Sequence, residues 1–124
     1  MKAATIILRS LMGLLFVFAS LSFFLELITP PPQTGAMKPF SDGMAASVYL
    51  LPTVKAIELI SGVAFLTGRF VPLATVLIAP IIVNITLLHA FLDPKGLPVA
   101  LFLVLASSFV AYANRESYKP LLRP

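Results

Sequence analysis

Glu26, Lys55, Glu58, Asn84 and His89 are the side chains in this sequence whose types and setting suit chemistry on a ligand. Two carboxylates, an ammonium, an amide and an imidazole can donate, accept or relay protons, and they can hold a polar ligand by hydrogen bonds. Other chemistries are absent from the inventory. The chain has no cysteine, which removes thiolate metal sites, iron–sulfur ligation, redox disulfides and cysteine nucleophiles together. It has one histidine, so no multi-histidine metal site forms within one chain, and no metal site is expected. No Gly-rich phosphate loop, HExxH motif or Ser/His/Asp set is present, so no catalytic residue is assigned.

The elements that position these groups follow from composition. Apolar residues make up 59% of the 124 residues and charged residues 11%, against about 25% charged in a soluble domain. Mean hydropathy is +1.00. So few charges cannot cover a soluble surface, which excludes a soluble globule, a disordered tail and a coiled coil. The expected class is all-α: a four-helix transmembrane bundle with antiparallel neighbours, forming a single membrane domain over residues 1–124. A span needs about 20 apolar residues. Four segments qualify, at about 3–28, 50–67, 71–91 and 97–113. The first ends at Pro30-Pro31-Pro32, where backbone donors are missing. Residues 30–49 read as a loop with a short interfacial helix from about Phe40 to Tyr49, N-capped by Ser41 or Asp42. Asp93-Pro94-Lys95-Gly96 reads as a turn. The first segment is too long for the apolar core of a cleaved signal peptide and carries Arg9 and Glu26, so it is expected to persist as a span.

The net charge is +4, and the positive charge sits beside apolar segments. That pattern sets orientation in a lipid bilayer and gives no reason to expect nucleic acid. With the N-terminus inside, the inner side holds Lys2, Arg69, Arg115, Lys119 and Arg123, with Arg9 within reach of the headgroups. The outer side holds Lys38 and Lys95. Both termini are therefore expected in the cytoplasm.

In that frame Glu26, Lys55, Glu58, Asn84 and His89 share a depth in the outer half, which makes them a candidate polar pocket. Each also has a plainer reading. Lys55 and Glu58, three apart on one helix face, make a structural ion pair. Asn84 bonds between helices, His89 caps a helix end, Asp93 organises its turn and Arg9 snorkels or pairs. Glu58, Gly62 and Arg69 fall within about 40° of one another, as do Arg9, Gly13 and Ser20. Gly13 and Gly62 thus mark faces where helices approach closely, and Pro80 marks a kink in the third span. Pro80 and Asn84 share a face, whereas His89 is rotated from Asn84 by about 140°.

The second and third spans, LLPTVKAIELISGVAFLTGRFVPLATVLIAPIIVNITLLHAFLDPKGL, resemble the DoxX family of small four-helix membrane proteins. The resemblance rests on Lys55 and Glu58 with Gly62, on Gly68-Arg69-Phe70-Val71-Pro72-Leu73, on Ala79-Pro80 with Asn84, and on His89, Phe91 and Asp93. Arg9 and Gly13-Leu14-Leu15-Phe16 resemble the family's opening helix. Many members carry a Gly and a Lys at the end of that helix, where this chain has Ser20 to Phe24 and then Glu26. The family is named for a small subunit of a thiosulfate:quinone oxidoreductase, and similar proteins are associated with thiol and oxidative-stress defence at membranes. The resemblance implies a multi-pass protein of a bacterial or archaeal plasma membrane. It would be a non-catalytic or quinone-site-forming subunit of a redox assembly, with a soluble oxidoreductase subunit or a second copy as partner and quinone as the ligand. Two alternatives stand beside it. One is a structural or assembly protein without a ligand. The other is a small proton-coupled transporter, resembling the small multidrug resistance proteins, built around Glu58 or Glu26.

Overall fold

The computed structural model describes residues 2–29 and 31–124, and the chain over them is helical without strands. Pro30, where the sequence places the start of the first loop, lies outside the described residues. The helices are α1 (Lys2–Phe24), α2 (Met37–Ala46), α3 (Leu50–Thr67), α4 (Val71–Phe91) and α5 (Leu97–Ala113). Short 3₁₀ turns cover Pro94–Gly96 and Arg115–Leu122. Four helices have the length and apolarity to cross a membrane: α1, α3, α4, and α5 together with the turn before it.

The bounds of α3, α4 and α5 coincide with those read from the sequence, and two others differ. α1 stops at Phe24, four residues before Ile28. Glu26 takes a left-handed conformation with φ of 52°, and the Leu27 N–H reaches back to the Ser22 carbonyl at 3.1 Å. That 6→1 bond is a Schellman closure, which satisfies an otherwise orphaned carbonyl and turns the chain out of the helix. The prolines are therefore not the local stop. α2 begins at Met37, three residues before Phe40, and neither Ser41 nor Asp42 caps it. Its register is held instead by the Lys38–Asp42 ion pair at 3.0 Å.

Prolines near helix starts cause no loss. Pro52, Pro72 and Pro98 fall in the first turns of α3, α4 and α5, where the missing N–H would have had no partner. Pro80 lies inside α4, and the helix runs through it.

The helices carry apolar residues on every side, as expected when the solvent is lipid. Their buried stripes combine small and weakly polar residues with a few large apolar ones. Gly13 and Ser20 are buried on α1, Ser61 and Gly62 on α3, Ala74 and Thr75 on α4, and Ala100 and Ala106 on α5. Large side chains such as Leu14, Phe18, Ile60 and Leu105 point outward. This is the pattern of helices that associate by close backbone approach, because lipid tails compete with any apolar contact. Met12, Phe16, Phe65, Ile78, Leu103 and Val110 fill the centre. Ser20, Thr75 and Thr86 turn their hydroxyls back onto the carbonyls of Phe16, Val71 and Ile82 at 2.7, 2.8 and 2.8 Å, so they present no bare polar group to their neighbours.

α1 and α3 meet glycine to glycine. A Cβ on Gly13 would lie 2.9 Å from the Gly62 carbonyl oxygen, and one on Gly62 would lie 2.8 Å from a methyl of Val17. Only three residues, Gly68-Arg69-Phe70, join α3 to α4. Gly68 ends α3 in the left-handed region at φ 75°, donating to the Ala64 carbonyl at 2.9 Å. A side chain there would also strike the Arg9 guanidinium, 2.9 Å from the Cβ position.

Candidate functional site

Lys55 and Glu58 project from the first half of α3, one helical turn apart, and meet as the spacing requires. Nζ of Lys55 lies 3.0 Å from Oε2 of Glu58. The Glu58 side chain is 5% exposed and that of Lys55 22%, so the ammonium keeps a route outward while the carboxylate does not. The contact is close enough for an ion pair but out of line for a hydrogen bond, and Oε2 has no hydrogen-bond donor. Ser61, three residues further on the same face, is fully buried, and its hydroxyl is also without a partner. Among the described residues, two unpartnered oxygens thus lie on one buried stripe of α3, with a third, Ser22 Oγ, on α1.

Space decides what that stripe can hold. A crevice beside Ser61, open at the surface between α3 and α4, has a volume of about 40 Å³ and is lined by Ile60, Ala64, Phe70, Leu73 and Leu77. A dry cavity of about 150 Å³ is what admits one benzene ring. The crevice beside Ser61 is too small to enclose a quinone ring.

The other members of the sequence-derived set lie elsewhere. Glu26 is exposed, at the turn that closes α1. Asn84 is exposed on the outer surface of α4, and its amide makes no hydrogen bond among the described residues. Pro80, one turn earlier, is exposed on the same side. His89 is half-buried, with Nδ1 3.1 Å from the Asp93 carbonyl oxygen. Its ring lies directly on Gly96, where a Cβ would come within 2.2 Å of it. His89, Asp93 and Gly96 thus form one unit that closes the turn between α4 and α5. Lys55 and Glu58 come together, and Asn84, His89 and Glu26 do not join them.

Arg9 reaches from α1 to the last turn of α3, where Nη1 donates to the carbonyls of Phe65 and Leu66. These carbonyls have no partner within the helix, and a cation there also answers the negative end of the helix dipole. Gly13 and Gly62 serve the α1–α3 contact already described. Arg69 is exposed at the α3–α4 connection.

Compared with protein-family models, with curated proteins and with solved structures, the chain finds no match in any of the three. The reading of the site therefore rests on its own geometry.

A second polar region has no counterpart in the sequence reading. Lys2 and Arg9 from α1, and Asn114 and Arg115 from the end of α5, line a groove of about 480 Å³. The two pairs are over a hundred residues apart, and only the packing of α1 against α5 joins them. Their one signal in the sequence is that Lys and Arg gather at the ends of these two spans. Among the described residues, no group of acidic or histidine side chains is arranged to hold a metal ion.

Proposed function

We propose that this protein is a non-catalytic membrane subunit, DoxX-like in character, that serves a larger redox assembly through the outer surface of α4. The observation that carries the reading is Asn84. Seven residues before the end of α4, it sits about 10 Å along the helix from Phe91. At that depth a bare amide faces hydrocarbon, where an unsatisfied polar group is costly. Pro80 lies one turn away on the same side, and a proline leaves the carbonyl four residues before it, at Val76, without its usual donor. An amide and a freed carbonyl on one stripe suit a helix from another polypeptide that brings hydrogen bonds of its own.

The space beside Ser61 supports the same reading. The crevice there is too small for a quinone ring, so a quinone site at that stripe would have to be completed by a partner against the lipid-facing surface. Lys55 already neutralises Glu58, which argues against the free membrane carboxylate that a proton-coupled transporter uses. The association with thiol and quinone chemistry comes from the resemblance of the second and third spans to DoxX proteins. In this reading neighbouring spans are antiparallel, both termini are cytoplasmic and the membrane is the plasma membrane.

The test is purification of a tagged protein from native membranes in mild detergent, with co-purifying proteins and quinone identified by mass spectrometry. Wild type is expected to retain a stoichiometric oxidoreductase with quinone, and Asn84→Leu to lose it while keeping its own helicity and expression. A wild-type protein that purifies alone without quinone overturns the subunit reading. Equal retention by Asn84→Leu removes α4 as the docking surface.

A further inference from the structure

The groove between α1 and α5 has one ionic character. Lys2, Arg9 and Arg115 line it, and no carboxylate does. None of the three forms an ion pair among the described residues, and the nearest acid in sequence, Glu116, is paired with Lys119 at 2.9 Å. Arg9 gives Nη1 to the carbonyls at the end of α3, and Arg115 gives Nη1 to the Tyr112 carbonyl at 3.0 Å while stacking on the Tyr112 ring at 4.4 Å. These contacts engage one nitrogen of each guanidinium. A guanidinium has five N–H donors, so each retains several for a ligand. Asn114 is held in the same way, its amide nitrogen donating to the Val110 carbonyl at 2.9 Å, which leaves the side-chain oxygen free.

The shape is directional. Lys2 and Arg9 are seven residues apart on α1, so the groove extends about 10 Å along that helix. Ile6 and Ala113 supply its apolar wall. Basic groups at the end of a span above an apolar wall match an amphipathic anion, one whose charged head meets cations while its tail lies along the helices. The volume is within the range of small-ligand sites, about 300–1,000 Å³.

We propose that this groove binds the phosphate group of an anionic phospholipid, with Arg9 and Arg115 holding the phosphate oxygens and Lys2 adding charge at the headgroup surface. The site rests on the chain spanning a bilayer and is independent of the redox reading. Inorganic phosphate shares the chemistry, so the experiment separates the two sources. The full chain is purified in detergent and offered equimolar phosphatidylglycerol and phosphatidylcholine, and bound lipid is counted by native mass spectrometry. Wild type is expected to favour phosphatidylglycerol by about tenfold. The double variant Lys2→Gln/Arg115→Gln, which leaves the Arg9 contact to α3 intact, is expected to fall to near parity with unchanged helicity and melting. Arg69→Gln/Arg123→Gln removes the same number of charges outside the groove, leaves the Lys119–Glu116 pair intact and should retain the preference. Equal binding of both lipids by wild type overturns the site, as does an equal loss in the two double variants. Displacement of phosphatidylglycerol by millimolar inorganic phosphate reassigns the site to a soluble anion and overturns the lipid assignment.

Discussion

Glu58 is buried beside a single cation, and that makes the two residues one unit energetically. Removing Lys55 alone strands a carboxylate in the bundle, whereas removing Glu58 alone leaves an ammonium that can turn outward. Stranding a buried charge typically destabilises by about 3–5 kcal/mol, whereas replacing both partners by apolar groups is often neutral. Lys55→Met should lower the melting temperature in detergent strongly and Glu58→Leu less, and the double variant should recover most of the Lys55→Met loss. If the losses simply add, the two charges are not coupled. Glu26 offers the opposite sign. A non-glycine residue at φ 52° carries a left-handed penalty of about 1–2 kcal/mol. Glu26→Gly keeps the Schellman closure without that penalty, so it should raise stability by about 1 kcal/mol in the same measurement. A loss would mean that the exposed carboxylate makes a contribution of its own.

The α1–α3 contact tests the role of the glycine stripes. An alanine at Gly13 meets a backbone carbonyl at 2.9 Å as well as Leu66, whereas one at Gly62 meets a methyl of Val17 at 2.8 Å and backbone atoms of Gly13 and Val17 only at 3.1 Å. Gly13→Ala should therefore destabilise more, by about 1–3 kcal/mol. Gly62→Ala should be partly rescued by Val17→Ala, read by thermal unfolding in detergent; a null effect at Gly13 would show that the helices can part without loss. Most of this architecture was legible in the sequence. The ends of α3, α4 and α5 are written locally, in Gly68, in first-turn prolines and in the Asp93–Gly96 turn. The end of α1 was not, because a glutamate in the left-handed region is rare and the proline run nearby is a louder signal. The pairing of Lys55 with Glu58 follows from spacing alone. The dispersal of Asn84, His89 and Glu26 does not, because sequence gives depth along a helix more surely than it gives which side meets a neighbour. The basic groove was hidden for a related reason: its two halves come from opposite ends of the chain.

At the scale of the whole molecule, several contacts gather one end of the bundle. Arg9 touches the end of α3, the Tyr118 hydroxyl donates to the Pro72 carbonyl at 3.0 Å, and Lys2 and Arg115 share a groove. The basic residues of α1, α5 and the α3–α4 connection thus lie together, as the positive-inside rule asks of a cytoplasmic face. The absence of cysteine makes this testable. In intact cells, Lys38→Cys and Lys95→Cys should react with an impermeant maleimide and Arg69→Cys should not; the reverse pattern inverts the topology. The spans also differ in length. α1, with 23 residues, extends about 35 Å, and α3, with 18, about 27 Å. A typical hydrocarbon core is about 30 Å thick, and mismatch is relieved by tilting long helices or thinning the membrane around short ones. α1 can lean, but α3 cannot lengthen, and Lys55 sits only five residues from its start. In a bilayer of that thickness the lipids beside α3 would draw inward, which would favour thin membranes or short acyl chains on one flank of an otherwise ordinary bundle.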